Sequence, residues 1–251
     1  MSATPTVSIS GTVREIALAH PSAIRIFEQF AIDYCCGGHR PLAEACTQAG
    51  ADLTAVQSAL AGLSAKAPEE AGEAATIAAL VDRIVTVHHG FVRRETPRLR
   101  ALMDKVIARH GATSPELAGI QFHFDALSQE LSSHMMREEQ VLFPFCVQME
   151  EAAAHGHALP QTFFATVRQP IGAMMREHDE AAQHAATIRR LSSNYHAPDG
   201  ACPSFHGLYA GLHDYEADLH RHVHLENNLL FPRAEALERS LKSNEAEWPR
   251  A

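Results

Sequence analysis

The chain has 251 residues, a formal net charge of −9 and seventeen histidines. With a pI near 6.0 it lacks the clustered basic residues that nucleic-acid backbones require, so we expect no nucleic-acid partner. No apolar run approaches the roughly 20 residues that span a bilayer, and the start of the sequence does not resemble a secretory signal, so we expect no membrane partner. The five cysteines are irregularly spaced, which fits a reducing compartment, and we therefore expect a cytoplasmic protein.

The first part of the chain predicts a small domain of three or four short helices. Thr12 and Glu15 have the spacing of a capping box, in which each side chain satisfies a free amide at a helix start. Asp52 suits the N-cap of a later helix, and Gly37 with Gly38 interrupts the helical pattern between them.

A small, polar and acidic segment follows, over about residues 63–75. This composition is typical of a linker. We therefore divide the chain into a helical domain over residues 1–66 and a second domain over residues 67–251.

The second domain predicts four long helices joined by short connections. Their patterns cover about residues 76–109, 115–153, 160–192 and 203–239. Since no β-branched run of period two interrupts them, the predicted fold class is all-α: a small N-terminal helical domain and an antiparallel four-helix bundle.

The second and fourth of these helices share one phrase, in which His, Glu, Leu, Phe and Pro recur at the same offsets. The phrase begins at His134 and again at His222, 88 residues later, and a glutamate follows four residues after each, Glu138 and Glu226. Residues four apart lie on one face of a helix, about 5–6 Å apart at Cβ. Each pair can therefore meet one metal ion, or two adjacent ions.

The first and third helices offer a further matched pair, His89 and His178, which are 89 residues apart. Together these residues make a set of four imidazoles and two carboxylates, in which the carboxylates could bridge two ions of Fe, Mn or Zn. Duplication of a purely structural hairpin is the competing interpretation, but it does not require His and Glu to recur together.

The order of the ligands distinguishes the classes of dinuclear bundle. Ferritin-like bundles use Glu-x-x-His, and no glutamate of this chain has a histidine three residues on. The reversed order, His-x-x-x-Glu, points instead to a hemerythrin-like bundle.

The chain also resembles a known family. Its most specific segments are residues 33–38 (DYCCGG), 130–139 (ELSSHMMREE), 177–181 (EHDEA) and 222–228 (HVHLENN). The C-terminal bundle resembles the hemerythrin-like domain. The whole chain resembles the repair-of-iron-centres family, cytoplasmic di-iron proteins linked to recovery of iron-sulfur clusters after oxidative or nitrosative stress.

This resemblance implies a cofactor of two non-haem iron ions with an oxo or hydroxo bridge. It implies as ligands His89, His134, Glu138, His178, His222 and Glu226, with the two glutamates bridging. It also implies damaged iron-sulfur proteins as clients, and it leaves a homodimer open.

One position departs from the oxygen-carrying hemerythrins, which have a further histidine one turn after the third-helix ligand. Here that position is Ala182. One iron then has fewer protein ligands, which argues against simple oxygen carriage and favours labile iron or small-molecule chemistry.

Several other histidines need an interpretation. Only one of the adjacent residues His88 and His89 is expected to face the core. The hydrophobic periodicity does not distinguish between them, but the repeat offset and the family pattern favour His89. His110 reaches the site only if the chain turns back, and His220 and His224 are expected to be solvated. The histidines without any predicted constellation are His123, His155, His157, His184, His196, His206 and His213.

The adjacent pair Cys35 and Cys36 supplies candidate redox or iron-transfer thiols. The alternatives are two ordinary thiols at a turn, or a zinc site formed by Cys36 with His39 and Cys46. The remaining cysteines are interpreted as isolated: Cys146 and Cys202.

The function expected from these features is repair of damaged iron-sulfur clusters, by supply of iron. The alternatives are a di-iron enzyme that reduces nitric oxide or handles dioxygen or peroxide, and a metal-based stress sensor. The sequence leaves all three open.

Overall fold

The computed structural model describes residues 11–63 and 75–247, and every regular element within these ranges is helical. The predicted all-α fold class is confirmed. The expected domain boundary at residues 66 and 67 lies outside the described residues. Among the helices that are described, none is both long and apolar enough to cross a membrane.

Four short helices form the N-terminal unit. They are α1 (Val13–Ala19), α2 (Ala23–Gln29), α3 (Leu42–Ala49) and α4 (Leu53–Ala61). The expected capping box is present: the Glu15 amide donates to Thr12 Oγ1 at 3.2 Å, and the Thr12 amide donates to Glu15 Oε2 at 2.8 Å. Asp52 caps α4 as predicted. The unit encloses a small core of its own around Phe27.

The bundle contains the four long helices that were predicted, and three of them are interrupted by a π-helical turn. The α-helical segments are α5 (Ile77–Arg83), α6 (Gly90–His110), α7 (Glu116–Arg137), α8 (Phe143–His155), α9 (Arg168–Leu191), α10 (Pro203–Leu225) and α11 (Phe231–Glu247). The π turns that join α5 to α6, α7 to α8 and α10 to α11 are Ile84–His89, Glu138–Leu142 and Glu226–Leu230.

The third long helix begins at Arg168, later than the expected residue 160. Before it, Glu238 from α11 accepts hydrogen bonds from the Val167 amide at 2.9 Å and from Thr166 Oγ1 at 2.6 Å. Because a tertiary contact satisfies these groups and Pro160 breaks the preceding segment, the chain reaches α9 without helical structure.

Two of the π turns have a cause in the repeated phrase. Each of them leads into a helix whose second residue is proline, Pro144 in α8 and Pro232 in α11. Proline has no amide hydrogen to give to the carbonyl four residues earlier, and an inserted residue that widens the helix accommodates this loss. The Asn228 carbonyl, four residues before Pro232, instead accepts a hydrogen bond from Arg14 of the N-terminal unit at 2.9 Å.

The apolar interior of the bundle consists of two clusters, one on each side of a polar layer. Along α10 and α11, for example, Leu219 and Val223 belong to one cluster, and Leu229 and Leu230 to the other. The residues between them on every long helix are the predicted ligands. The packing of the bundle therefore places a polar layer between two dry cores.

The N-terminal unit docks on the bundle through polar contacts around α10. Arg221 donates two hydrogen bonds to the Glu28 carboxylate, each of 2.8 Å. The side-chain amide of Asn228 donates a hydrogen bond to the Tyr34 carbonyl at 3.0 Å. Cys35 packs into one of the bundle's apolar clusters.

The expectation that His220 and His224 are solvated is wrong, because both face the N-terminal unit. Their rings pack against the ring of Tyr34, with centroids 6.3 and 5.5 Å away. Burial lowers the pKa of His224 to about 4, so its ring is neutral near pH 7. Its Nδ1 can then accept the second hydrogen bond of the Asn228 amide, at 2.9 Å.

We expect Asn228→Ala to loosen this interface, because it removes both amide donors and leaves the Tyr34 carbonyl and His224 Nδ1 buried. The loss in free energy of unfolding should be about 1–3 kcal/mol by urea denaturation. Cys35, which is buried in the docked state, should also react faster with a thiol reagent.

The matched control is Gln129→Ala, which removes an exposed amide from α7 and should change neither quantity. Unchanged Cys35 reactivity in Asn228→Ala would contradict the role of Asn228 in docking.

Candidate metal centre

The six predicted ligands meet in the polar layer of the bundle. Their ligand atoms form two groups of four, each within 4.8 Å: His89, Glu138, His222 and Glu226 in one, and His134, Glu138, His178 and Glu226 in the other. Both glutamates belong to both groups, which is the arrangement expected of carboxylates that bridge two ions.

Glu138 divides its two oxygens between the two groups. Oε1 lies 3.1 Å from His134 Nε2, and Oε2 lies 3.4 Å from His89 Nε2. The side chain is fully buried, and neither oxygen has a hydrogen-bond partner in the part of the chain that the structure describes.

Glu226 repeats this division on the opposite side. Oε1 lies 2.8 Å from His222 Nε2, and Oε2 lies 2.9 Å from His178 Nε2. Burial alone would raise the pKa of Glu226, but the imidazoles of His222 and His178 outweigh it and hold this pKa well below its usual range. The carboxylate is therefore ionised in a fully buried position.

These observations fit a dinuclear metal site. An ionised carboxylate is costly to bury without solvent, and a multivalent cation compensates this cost. Four imidazoles and two carboxylates, with no thiolate among them, match the donor preference of Fe, Mn or Zn.

A second ring of side chains orients the histidines. Two ligand imidazoles bond through Nδ1 to a carboxylate that also meets an arginine: His89 with Glu139 and Arg93, and His134 with Glu177 and Arg137. The Nδ1-to-oxygen distances are 2.6 and 2.7 Å. With Nδ1 so engaged, Nε2 points into the layer, in the orientation that a metal ligand needs.

The sequence reasoning did not assign these outer residues, although the internal repeat carries a signal for one pair. Glu139 and Asn227 occupy equivalent positions in the repeated phrase. Asn227 Oδ1 lies 3.0 Å from His178 Nδ1, so both positions serve a histidine on another helix.

The outer ring is not symmetric. Glu177, which precedes His178 and bonds to His134, has His88 as its counterpart before His89. His88 stacks on His222 at a centroid distance of 5.7 Å, but its Nδ1 turns to Asp218 at 2.9 Å. His222 Nδ1 is consequently buried with no hydrogen-bond partner among the described residues.

The remaining candidate histidine, His110, lies at the far end of its helix and away from the polar layer. Its Nε2 is 3.2 Å from Cys202 Sγ, so Cys202 is not the isolated residue that was expected. Cys146 is buried beside the layer, where burial and Glu138 raise its pKa to about 12.

The adjacent thiols lie in a turn organised by Asp33. Its carboxylate accepts hydrogen bonds from the amides of Cys35, Cys36 and Gly37 at 3.1, 2.9 and 2.9 Å. A Cβ at Gly37 would come within 2.8 Å of this carboxylate, so a larger residue there would displace the Asp33 side chain from its hydrogen bonds. The two sulfurs are 3.9 Å apart, as free thiols.

The zinc alternative for the cysteines is wrong. Among the described residues, the possible ligand atoms that lie within 4.8 Å of Cys36 in a common group belong to Asp33 and Cys35. Cys46 is instead buried in the core of the N-terminal unit, and His39 is exposed. The neighbouring Cys36 thiol, burial and Asp33 together raise the pKa of Cys35.

The thiols open into a cleft of about 780 Å³ between the N-terminal unit and the bundle. Ala182, the position without the additional hemerythrin histidine, lines the same cleft. One wall of the cleft therefore lies one helical turn from His178.

Comparison with known proteins agrees with this geometry. Residues 9–64 match a domain of unknown function, DUF542, and residues 80–234 match the hemerythrin HHE cation binding domain. The iron-sulfur cluster repair protein YtfE of Salmonella choleraesuis (strain SC-B67) is 37% identical over 220 residues, which cover 88% of this chain and 94% of that protein. The chain belongs to the family of iron-sulfur cluster repair proteins. YtfE of Salmonella newport (strain SL254) is 36% identical over the same shares of both chains.

For this family member, we expect Glu138→Ala to reduce bound iron to clearly less than one ion per chain, because both groups of ligands lose a shared donor. Glu139→Ala, which removes an outer partner of His89, should weaken metal affinity by about 10–100-fold. Iron per chain after purification from iron-replete cells measures the first effect, and competition with a chelator measures the second.

The control for both is Glu151→Ala, which removes an exposed carboxylate from α8. Helical content should stay unchanged in all three variants. A Glu138→Ala protein that keeps the iron content of the unmodified chain would contradict the assignment.

Metal affinity should also depend on pH in a defined direction. Burial favours the neutral form of His134, but Glu138 and the other nearby carboxylates outweigh it and raise its pKa to about 9 in the metal-free protein. A metal ion must displace this proton below pH 9, so the apparent affinity should rise by about tenfold per pH unit between pH 7 and 9. Titration with Co²⁺ against a chelator measures it, and an affinity independent of pH over this interval would refute the prediction.

Proposed function

We propose that the bundle holds two non-haem iron ions bridged by Glu138 and Glu226, and that the protein repairs damaged iron-sulfur clusters by supplying iron. The observation that carries the proposal is the sharing of both glutamates between two groups of buried histidines. The relatives' name, iron-sulfur cluster repair protein, supports the same activity for this chain. The terminal ligands we assign are His89, His134, His178 and His222.

When bound, the iron pair supplies redox-active metal and a coordination position open to small ligands. The chain's own residues favour release over permanent retention. Ala182 contributes no ligand at the turn after His178, and it borders the solvent-accessible cleft. An ion on this side is therefore held by fewer donors than one in a fully coordinated site, which lowers the cost of removing it.

The thiols of Cys35 and Cys36 are placed to receive an ion on its way out. Both line the same cleft as Ala182, and Cys36 is the more exposed of the two. Thiolate is a softer donor than carboxylate and binds iron in iron-sulfur proteins. We propose that Cys36 takes part in iron transfer to a client.

The proposed setting is the cytoplasm, with damaged iron-sulfur proteins as clients. We propose that residues 1–66 and 67–251 form two units joined by a linker. The docked arrangement around Arg221 and Glu28 is then the state in which the thiols face the bundle.

Mixing the iron-loaded protein with an apo iron-sulfur protein and sulfide, in the absence of other iron, tests the proposal. We expect the client to regain its cluster while the donor loses an equivalent amount of iron. Cys36→Ser should slow the transfer without lowering the initial iron content of the donor. The cluster's optical absorption and the iron content of the separated proteins measure both.

Cys202→Ser, which removes a thiol that does not line the cleft, serves as the matched control and should transfer iron at the normal rate. Sustained reduction of nitric oxide or peroxide with an electron donor, without loss of iron, would favour the di-iron enzyme instead. No iron in the client under any condition would overturn the supply function.

A further inference from the structure

Two histidines that look isolated in the sequence meet on the surface of the bundle. His123 lies on α7 and His184 on α9, two helices that pack side by side. Their Nδ1 atoms are 2.9 Å apart, and their ring centroids are 5.1 Å apart. The expectation that each of these histidines stands alone is therefore wrong. The two residues are 61 positions apart in sequence and meet only because their helices pack together.

The separation of the two nitrogens suits a shared metal ion. Two imidazole nitrogens bound at about 2.1 Å stand roughly 3.0 Å apart at an angle of about 90° and roughly 3.4 Å apart at the tetrahedral angle that zinc prefers, so small side-chain shifts bring both nitrogens onto one ion. Both side chains are partly exposed, so solvent can complete the coordination. Burial, His184 and Arg190 lower the pKa of His123, which keeps its ring in the neutral form that binds metals.

The Glu130 carboxylate lies next to the outer nitrogen of the His184 ring. Glu130 Oε1 lies 3.6 Å from Nε2 of His184, the nitrogen that faces away from His123. Ligand histidines in proteins commonly have such an outer carboxylate, and Glu177 plays this part for His134 in the same bundle. The His184 ring thus has two features of a metal ligand: an inner nitrogen that faces a second imidazole nitrogen at 2.9 Å and an acidic outer neighbour.

Glu130 also links the pair to the bundle interior. Its Oε2 is buried without a hydrogen-bond partner in the described ranges. The side chain lines a cavity of about 40 Å³ together with His134 and His178. This volume accommodates a few waters, so Glu130 connects the pair to a polar space beside two of the proposed ligands.

We propose that His123 and His184 form a second, peripheral site that binds one divalent transition-metal ion, with Glu130 orienting His184. The site has two protein ligands and exchanges readily with solvent, unlike the buried centre. It does not depend on whether the protein supplies iron to clusters.

Zinc binding to the iron-loaded protein tests the proposal by equilibrium dialysis with Zn²⁺ as the only added metal. We expect His123→Ala and His184→Ala each to bind one zinc ion fewer than the unmodified chain. Because both imidazoles hold the same ion, the double variant should lose no more than either single variant. Iron content should be unchanged in all of them.

His206→Ala is the matched control, since it removes an exposed histidine from α10 and should leave zinc binding unchanged. Glu130→Gln should keep the ion but bind it about 10–100-fold more weakly. Equal zinc binding in all variants would overturn the site, and so would a loss confined to only one of the two histidine variants. Partial exposure of both side chains makes the alanine variants compatible with folding, which thermal unfolding verifies.

Discussion

The burial of two glutamates at the centre of a helical bundle is the constraint on which the rest of the structure depends. Glu138 and Glu226 are inaccessible to solvent, and an uncompensated carboxylate in such a place would be strongly destabilising. Four imidazoles surround them, and a second ring of carboxylates, an amide and arginines surrounds the imidazoles. Two apolar clusters then enclose the layer from both ends.

The same sequence phrase that supplies these glutamates also shapes the backbone around them. Pro144 and Pro232 follow the two glutamate-bearing turns and favour the π geometry there. At the second turn, the Asn228 carbonyl and side chain become the attachment points of the N-terminal unit. The polar layer, two of the helix irregularities and the docking of the N-terminal unit therefore all depend on one local sequence pattern.

Much of the fold and the inner site could be predicted, because both follow from spacing within single helices. The offset of 88 residues between His134 and His222 was sufficient to indicate two hairpins and a shared layer. What the sequence could not reveal depends on contacts between elements. The burial of His220 and His224, the late start of α9 and the meeting of His123 with His184 all arise where one element lies against another.

The outer ring shows a related limit. Glu139 is visible in the repeat as the partner position of Asn227, but its contact with His89 lies across two helices. The sequence pattern identifies the position, whereas only the packed bundle determines which imidazole it serves. Side chains that act through another residue leave a weaker trace in sequence than side chains that act directly.

A duplicated sequence has here produced two unequal halves. Where the one half has Glu177 against His134, the other has His88 stacked on His222, with Nδ1 of His222 left unpaired. A histidine without an outer anion is a weaker electron donor and is less firmly fixed in its rotamer. The His222 position of a filled centre would thus lack an outer support, whereas the His178 position lacks the further ligand that Ala182 does not provide, so the two metal positions would not be equivalent. A bundle that had kept its symmetry would hold both ions equally, and would have no means of giving up one while the second still holds the glutamates in place.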